Sequence, residues 1–262
     1  YNKPWYKKLI IVLAGVINNF ILAFVVLFVI ALIYGSYSTK PVIGVFSKDS
    51  ACQKAGFEIG DKIIKINGKR TRSWDDVTLR LILANSKKSQ VFVLEDKDGN
   101  EKTIKVRPAK NKGKDGNVSY SYGIGISDKK YHGVLNALKF STSKFVSTFD
   151  SMIITIKALF TGKVGISSLS GPVGIYKIVG EQSKTGAYGL LYLLAYLSIN
   201  VGFINLLPFP AFDGYRGLTI IIEKITGKQI NPKVDAIVNN IGLMLLFALM
   251  IFITIKDVIK LF

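Results

Sequence analysis

Three stretches of the chain carry no charged residue and are long enough to cross a bilayer. They run from Leu9 to Tyr34, from Tyr188 to Leu207 and from Ala236 to Ile255. A helix of about 20 apolar residues spans the hydrocarbon core of a membrane. The pattern therefore predicts three transmembrane helices, the first in a segment 1–35 and the other two in a segment 188–262.

Between the first two spans, apolar residues occur in short β-branched runs separated by turn residues. The predicted strands are 42–46, 62–66, 91–95 and 103–106, and the predicted helix covers 77–84. Asn67-Gly68 closes the second strand with a hairpin-type turn, and Ser73 with Asp76 forms a capping box before the helix. Residues 40–110 are therefore expected to form a compact domain of strands with one helix.

Residues 111–187 have a mixed character. A connector rich in Gly, Lys and Ser leads to a short strand at 122–126 and then to an amphipathic helix. The apolar positions of that helix are Phe145, Phe149, Met152, Ile153, Ile156, Leu159 and Phe160. This helix is expected to lie at the outer membrane surface; the alternative is an ordinary surface helix of the soluble domain.

Composition agrees with a membrane protein that carries a soluble insert. The 262 residues are 49% hydrophobic with a mean hydropathy of +0.35, yet 20% are charged. The predicted fold class is thus an α+β membrane protein. The net charge of +18 favours membrane lipids with anionic headgroups as partners. The sequence shows neither a recognition helix nor an aromatic-basic RNA signature, which argues against nucleic acid as a partner.

Basic residues at the ends of the spans indicate the orientation. Lys3, Lys7 and Lys8 precede the first span together with two aromatic residues, which places the N-terminus in the cytoplasm. The domain at 40–110 would then be extracytoplasmic. The linker between the second and third spans would return to the cytoplasm, where its own basic residues belong.

A carboxylate close behind the second span calls for an explanation, because an unpaired charge near a membrane is costly. Pro208 and Pro210 must break the helix that contains Asn205, and the freed segment could bring Asp213 into a cavity. The alternative is that Asp213 caps a following helix over 217–225.

Metal-ligand residues are scarce. The chain contains one histidine, His132, and one cysteine, Cys52. A zinc site built wholly from this chain is therefore very hard to assemble, because such sites use mainly His and Cys. His132, in a segment expected outside the membrane, is interpreted as a solvated or packed side chain.

Several motifs together resemble those of site-2 proteases, the intramembrane zinc metalloproteases. Asn205–Gly214 is similar to the Asn-Leu-Leu-Pro…Leu-Asp-Gly motif of that family, and Ala14–Phe20 and Ser170–Ile175 are similar to motifs of its bacterial branch. Residues 55–68 resemble the signature of bacterial PDZ domains. The same turns occur in any β domain. Two alternatives therefore stay open: these residues belong to a domain whose groove binds peptides, or they only form the turns of a β domain.

The resemblance implies a four-helix catalytic core of which this chain holds three helices. It implies that Asp213 is a ligand of Zn²⁺ and that Asn205 positions the substrate or hydrogen-bonds the transition state. The His-Glu-x-x-His signature, which supplies two further ligands and a general base, is absent. Because that helix normally precedes the first span and the chain begins with Tyr1, we expect an N-terminally truncated protein that is inactive alone.

The implied function is that of an intramembrane zinc metalloendopeptidase in the bacterial plasma membrane, acting in regulated intramembrane proteolysis. Its partners would be single-span membrane proteins such as anti-sigma factors or signal-peptide remnants. Val16, Phe212 and Tyr215-Arg216 depart from the family pattern and leave local geometry open. A non-catalytic PDZ-containing membrane scaffold would also explain the missing histidines. A transporter is disfavoured by the lack of a paired inverted repeat.

Overall fold

The computed structural model describes residues 4–84, 88–112, 118–165 and 169–259. The helices are α1 (Trp5–Tyr34), α2 (Ala51–Lys54), α3 (Trp74–Ile82), α4 (Val134–Phe160), α5 (Pro172–Ser183), α6 (Ala187–Leu206), α7 (Asp213–Thr226) and α8 (Pro232–Ile259). The strands are β1 (Val45–Phe46), β2 (Lys62–Ile66), β3 (Lys69–Arg70), β4 (Gln90–Glu95), β5 (Glu101–Val106), β6 (Ala109–Lys112), β7 (Val118–Ser121) and β8 (Ile124–Gly125).

Helices α1, α6 and α8 are long and apolar enough to cross a membrane. Each overlaps one of the three charge-free runs of the sequence, and α1 and α8 extend beyond their runs into charged residues. The mixed helix and strand fold with three candidate membrane spans is therefore confirmed.

The chain divides into two compact units. The membrane unit combines Tyr1–Ile30 with Val164–Phe262, and the inserted unit is Ala31–Lys163. The first unit contains α5 to α8 and most of α1. The second contains all eight described strands, together with α2, α3 and α4.

A four-stranded antiparallel sheet in the order β3-β2-β4-β5 forms the centre of the inserted unit. Asn67 (φ +50°) and Gly68 (φ +75°) turn the chain between β2 and β3, as the sequence predicts. Phe92 of β4 is fully buried and makes edge-to-face ring contacts with Phe57 and Tyr122. These aromatic contacts anchor the core.

Two neighbouring residues of this core, Cys52 and Tyr122, have raised pKa values. Burial raises the pKa of the Cys52 thiol to about 12. Burial, followed by the neighbouring Cys52, raises the pKa of the Tyr122 phenol to about 12. Cys52 is 0% exposed, so its thiol is expected to behave as a packed apolar group.

The structure contains two small strand pairs that differ from the sequence prediction. β1 pairs with β8, and β6 pairs with β7 inside the segment expected to be a connector. The β6 and β7 sequences are mostly polar, so they lack the alternation of apolar residues that identifies a half-buried strand. Their pairing depends on backbone hydrogen bonds and was not visible in the sequence.

Helix α3 begins with the predicted cap. The Ser73 hydroxyl accepts a hydrogen bond from the Asp76 amide at 3.1 Å, and the Asp76 carboxylate accepts one from the Arg72 amide at 2.9 Å. This reciprocal arrangement satisfies two amides near the start of the helix.

Helix α4 packs its small and polar residues on the inserted unit. Its buried residues are Ala137, Ser141, Ser147, Thr148 and Ala158. Lys144 forms an ion pair with Asp75 at 2.7 Å. Large apolar residues such as Leu135 and Phe160 are exposed. The helix thus belongs to the inserted unit. Its location at the membrane surface stays a prediction.

Candidate active site

Helix α6 ends where the two prolines follow. Leu206 is its last residue, and Leu207 already has an extended ψ of 142°. A proline at 208 disfavours helical geometry in the residue before it, which explains this stop. Ala211, two residues before the next helix, has a positive φ of 81° that is uncommon for a residue with a side chain.

The loop then returns to the end of α6. A Cβ added to Gly214 would lie 2.2 Å from the carbonyl oxygen of Leu206, so only glycine fits this contact. Leu206 follows Asn205 and Gly214 follows Asp213. Because the chain turns back here, Leu206 and Gly214 are in backbone contact. These are the neighbours of the two predicted site residues, Asn205 and Asp213.

Asp213 is the first residue of α7, not its cap. Phe212 occupies the N-cap position without a side-chain hydrogen bond, and the helix begins four residues before the expected 217. Within the described ranges, the half-buried Asp213 carboxylate accepts no hydrogen bond. The capping interpretation is therefore wrong, and the carboxylate is available to an external partner.

The Asp213 carboxylate lies beside the first span. Its Oδ2 atom is 3.7 Å from the position that a Cβ of Gly15 would take. Nearby, a Cβ on Gly202 of α6 would lie 2.6 Å from the Phe20 ring, so these two helices also approach closely. The Ala14–Phe20 motif and the Asp213 motif thus meet in one place.

Asn205 lies in the last turn of α6 and is half-buried. In the part of the chain that the structure describes, its side-chain amide makes no hydrogen bond. Asn200, by contrast, donates to the Tyr196 carbonyl of its own helix at 2.8 Å. Asn205 therefore retains an amide that could bind a ligand.

Helix α8 holds the loop between these residues, which the sequence did not reveal. The Ala211 amide donates to the side-chain oxygen of Asn239 at 3.1 Å. A Cβ on Gly242 would lie 2.5 Å from the Pro210 Cβ atom. The Asn-Asn-Ile-Gly sequence in the third span was the only available signal, and it does not name its partners.

The Ser170–Ile175 motif is also held by α8. The Asp257 carboxylate accepts hydrogen bonds from the amides of Gly171 (2.7 Å) and Gly174 (3.0 Å), at the beginning of α5. Asp257 is 8% exposed and forms an ion pair with Lys256 at 3.0 Å. A buried carboxylate therefore caps this helix from another element.

The donors for a zinc ion are incomplete. Over residues 4–84, 88–112, 118–165 and 169–259, no three His, Cys, Asp or Glu side chains form a group that could hold a metal. His132 lies in the inserted unit, where a Cβ on Gly35 would meet its ring at 2.9 Å. The Asp213 carboxylate fits the role of one metal ligand, and the described residues do not supply the other ligands.

A separate groove runs along the inserted unit. It has a volume of about 740 Å³ and lies between α3 and the strands β1, β7 and β8. Its lining includes Phe46, Trp74, Leu81 and Ile124 and contains no charged side chain among the described residues. Such a groove suits an extended apolar peptide.

Comparison with known proteins gives consistent matches along the chain. The profile of peptidase family M50 matches residues 1–249. The regulator of sigma-W protease RasP of Bacillus subtilis is 36% identical over 261 residues, which cover 100% of this chain and 61% of the relative. The zinc metalloprotease RasP of Bacillus licheniformis is 36% identical over 268 residues, covering 100% of this chain and 62% of the relative.

A third relative, the zinc metalloprotease RasP of Geobacillus kaustophilus, is 34% identical over 256 residues. These cover 98% of this chain and 60% of the relative. The chain thus spans about three fifths of the length of these curated relatives.

Proposed function

This chain belongs to peptidase family M50, and on that basis we propose that it forms part of an intramembrane zinc metalloendopeptidase. The observation that carries the proposal is the position of Asp213. Its carboxylate lies beside Gly15 and accepts no hydrogen bond within the described residues. A half-buried carboxylate without a partner near a membrane span is an expected site for a cation.

Asp213 would be one protein ligand of Zn²⁺. A segment outside these 262 residues would supply the two histidines of the family signature and its glutamate general base. When bound, zinc would polarise the scissile carbonyl and activate water. The residues of this chain would prepare the site: Asp213 begins α7 directly after the loop, and α8 fixes that loop.

Asn205 would bind the substrate backbone. A transmembrane substrate must unwind before cleavage, because its helical carbonyls are otherwise engaged in hydrogen bonds. The unwound segment then exposes amides and carbonyls that need partners in a nonaqueous site. The amide of Asn205 offers both a donor and an acceptor, and the sharp return of the loop keeps it near Asp213, the proposed zinc ligand.

We further propose that the inserted unit contains an extracytoplasmic PDZ-like domain. The Ala55–Gly68 signature and the uncharged groove beside α3 support this assignment. The groove would bind an apolar peptide tail of a substrate by adding a strand. The amphipathic α4 would lie at the membrane surface with its exposed apolar residues toward lipid.

The substrates would be single-span proteins of the bacterial plasma membrane. The name of the Bacillus subtilis relative, regulator of sigma-W protease, supports anti-sigma factors as one class. Signal-peptide remnants are a second class of substrate, because they too are single apolar helices in the plasma membrane.

Cleavage of a single-span substrate by the full-length protein tests the protease proposal. Asp213→Ala should abolish zinc-dependent cleavage, and Asp128→Ala, an exposed acid of the inserted unit, should leave it intact. Full cleavage by the Asp213 variant would refute the proposed ligand. Absence of any zinc-dependent cleavage by the wild-type protein would favour the non-catalytic scaffold.

The groove is tested by a bulky cation at its wall. Thr78 lines the groove and is exposed, so Thr78→Arg should hinder peptide entry without disturbing the core. Thr103→Arg adds the same charge on exposed β5, outside the groove. A change in the set of cleaved substrates for Thr78→Arg alone is expected; unchanged selectivity would contradict a role for the groove.

A further inference from the structure

One pocket of the inserted unit is lined by four cationic side chains. It has a volume of about 530 Å³ and lies where the turn after β2 and the ends of α3 and α4 meet. The cations are Lys69, Arg80, Lys157 and Lys163. No carboxylate lines the pocket, and none of the four cations joins an ion pair among the described residues.

Two of these cations influence each other. Lys69 and Lys163 both line this pocket, although both carry ammonium groups. The charge of Lys163, with smaller effects of desolvation and of Arg80, lowers the pKa of Lys69. Like charges that share one pocket repel, and an anion between them removes that repulsion.

Arg80 presents an unused donor in the same pocket. Its Nη2 atom donates to the carbonyl of Arg70 at 2.8 Å, which fixes the guanidinium. Its Nε atom is buried and has no hydrogen-bond partner in the described part of the chain. A buried donor without an acceptor is unfavourable, and the oxygen of a bound anion would satisfy it.

Lys163 is not needed to cap its own helix. Its amide donates to the Ala158 carbonyl at 2.9 Å, and the Gly162 amide donates to the Leu159 carbonyl at 3.1 Å. Gly162 has a φ of 69°, so this is a Schellman turn that satisfies the last carbonyls of α4. The ammonium group of Lys163 is therefore available to the pocket.

We propose that this pocket binds a phosphate oxyanion. A phosphate group offers more oxygens to several donors than the two oxygens of a carboxylate. Large apolar side chains adjoin the lining residues in sequence: Ile82, next to Leu83, is 72% exposed, and Phe160, next to Thr161, is 86% exposed. Exposed apolar residues beside a cationic cluster are typical of a membrane-surface site. The headgroup of an anionic phospholipid and free phosphate share the required chemistry.

Calorimetric titration of the full-length protein in a neutral detergent, at constant ionic strength, separates these sources. The three probes are short-chain phosphatidylglycerol, phosphatidylcholine of the same chain length and sodium phosphate. Lys69→Gln combined with Lys163→Gln should weaken phosphatidylglycerol binding by roughly tenfold or more, because charge-assisted hydrogen bonds are lost. The control pair, Lys48→Gln with Lys105→Gln, removes the same charge from exposed positions outside the pocket and should change binding less than about twofold.

Each outcome decides the proposal. Phosphatidylglycerol binding that depends on Lys69 and Lys163 supports the headgroup, and equal dependence of sodium phosphate binding supports recognition of the phosphate alone. Binding that falls equally in both pairs, or that does not distinguish phosphatidylglycerol from phosphatidylcholine, overturns the site.

Thermal unfolding provides a second measurement of the same site. Sodium phosphate should raise the unfolding midpoint of the wild-type protein and not that of the Lys69→Gln, Lys163→Gln variant. Without anion, the variant should be at least as stable as the wild type, because the repulsion is gone. A less stable variant without anion would contradict the proposed repulsion.

Discussion

The side-chain oxygen of Asn239 accepts a hydrogen bond from the Ala211 amide at 3.1 Å. This bond joins the third candidate span to the loop that precedes Asp213. The same asparagine donates to the Asp235 carbonyl at 3.0 Å, which fixes the direction of its amide. Ala211 has a positive φ, so this contact helps to hold an unusual backbone conformation beside the proposed zinc ligand.

Replacing this asparagine should weaken catalysis. Asn239→Leu keeps the size of the side chain but removes the acceptor of the Ala211 amide, which costs about 0.5–1.5 kcal/mol. We expect kcat of the full-length protein to fall roughly tenfold if about 1.4 kcal/mol of this cost appears in the barrier. Asn240→Leu, at the exposed neighbouring position, is the control. Equal kcat values for both variants would exclude a role of Asn239 in positioning the loop.

A methyl group on Gly242 should separate α8 from the loop. In Gly242→Ala the new Cβ would lie 2.5 Å from the Pro210 Cβ atom and 2.7 Å from its carbonyl oxygen. Such overpacking costs about 1–3 kcal/mol and should lower the thermal unfolding midpoint. Gly180→Ala, in a helix with open space around it, should be neutral or slightly stabilising. A similar midpoint for both variants would contradict the tight packing at Pro210.

The cap of α5 should depend on the charge of Asp257. Asp257→Asn removes the negative charge that faces the amides of Gly171 and Gly174, so both hydrogen bonds should weaken. Hydrogen exchange of these two amides should accelerate roughly tenfold, because their acceptor has lost its charge. Glu181→Gln, on the exposed side of the same helix, should leave the exchange rates unchanged. Unchanged rates in the Asp257 variant would remove the carboxylate cap.

The inserted unit should lose stability in alkali. The pKa of Cys52 rises from 9.0 to about 12 and that of Tyr122 from 10.0 to about 12 in the folded protein. Above pH 9 the unfolded chain releases these protons first, so the free energy of unfolding falls as the pH approaches 12. Denaturant unfolding at several pH values measures this slope, and Cys52→Ala should make it shallower. An unchanged slope in that variant would show that burial does not raise the pKa of the Cys52 thiol.

Features determined by composition and local sequence could be predicted. The three apolar spans need only length and the absence of charge, and the Ser73 cap and the Asn67-Gly68 turn are encoded within a few residues. The break after Leu206 follows from proline alone. Asp213 was identified because a carboxylate there is chemically unusual, and the family motif supplied its expected role, which stays a prediction.

Features that depend on tertiary contacts could not be predicted in this way. Nothing near Asn239 indicates that its partner is Ala211, and nothing near Asp257 identifies the beginning of α5. The amphipathic pattern of α4 identified a helix, but not that its Ser and Ala residues would face the inserted unit. The cluster of Lys69 and Lys163 likewise joins residues far apart in sequence, and it forms only when α4 packs against α3.

The most direct test of the central claim is the zinc affinity of the full-length protein, measured by chelator competition. The wild-type protein should hold about one zinc ion, and Asp213→Ala should lower its affinity by more than the roughly 10–100-fold that loss of an outer-shell partner costs. Asp128→Ala should bind zinc as the wild type does. Wild-type zinc affinity in the Asp213 variant would contradict the account.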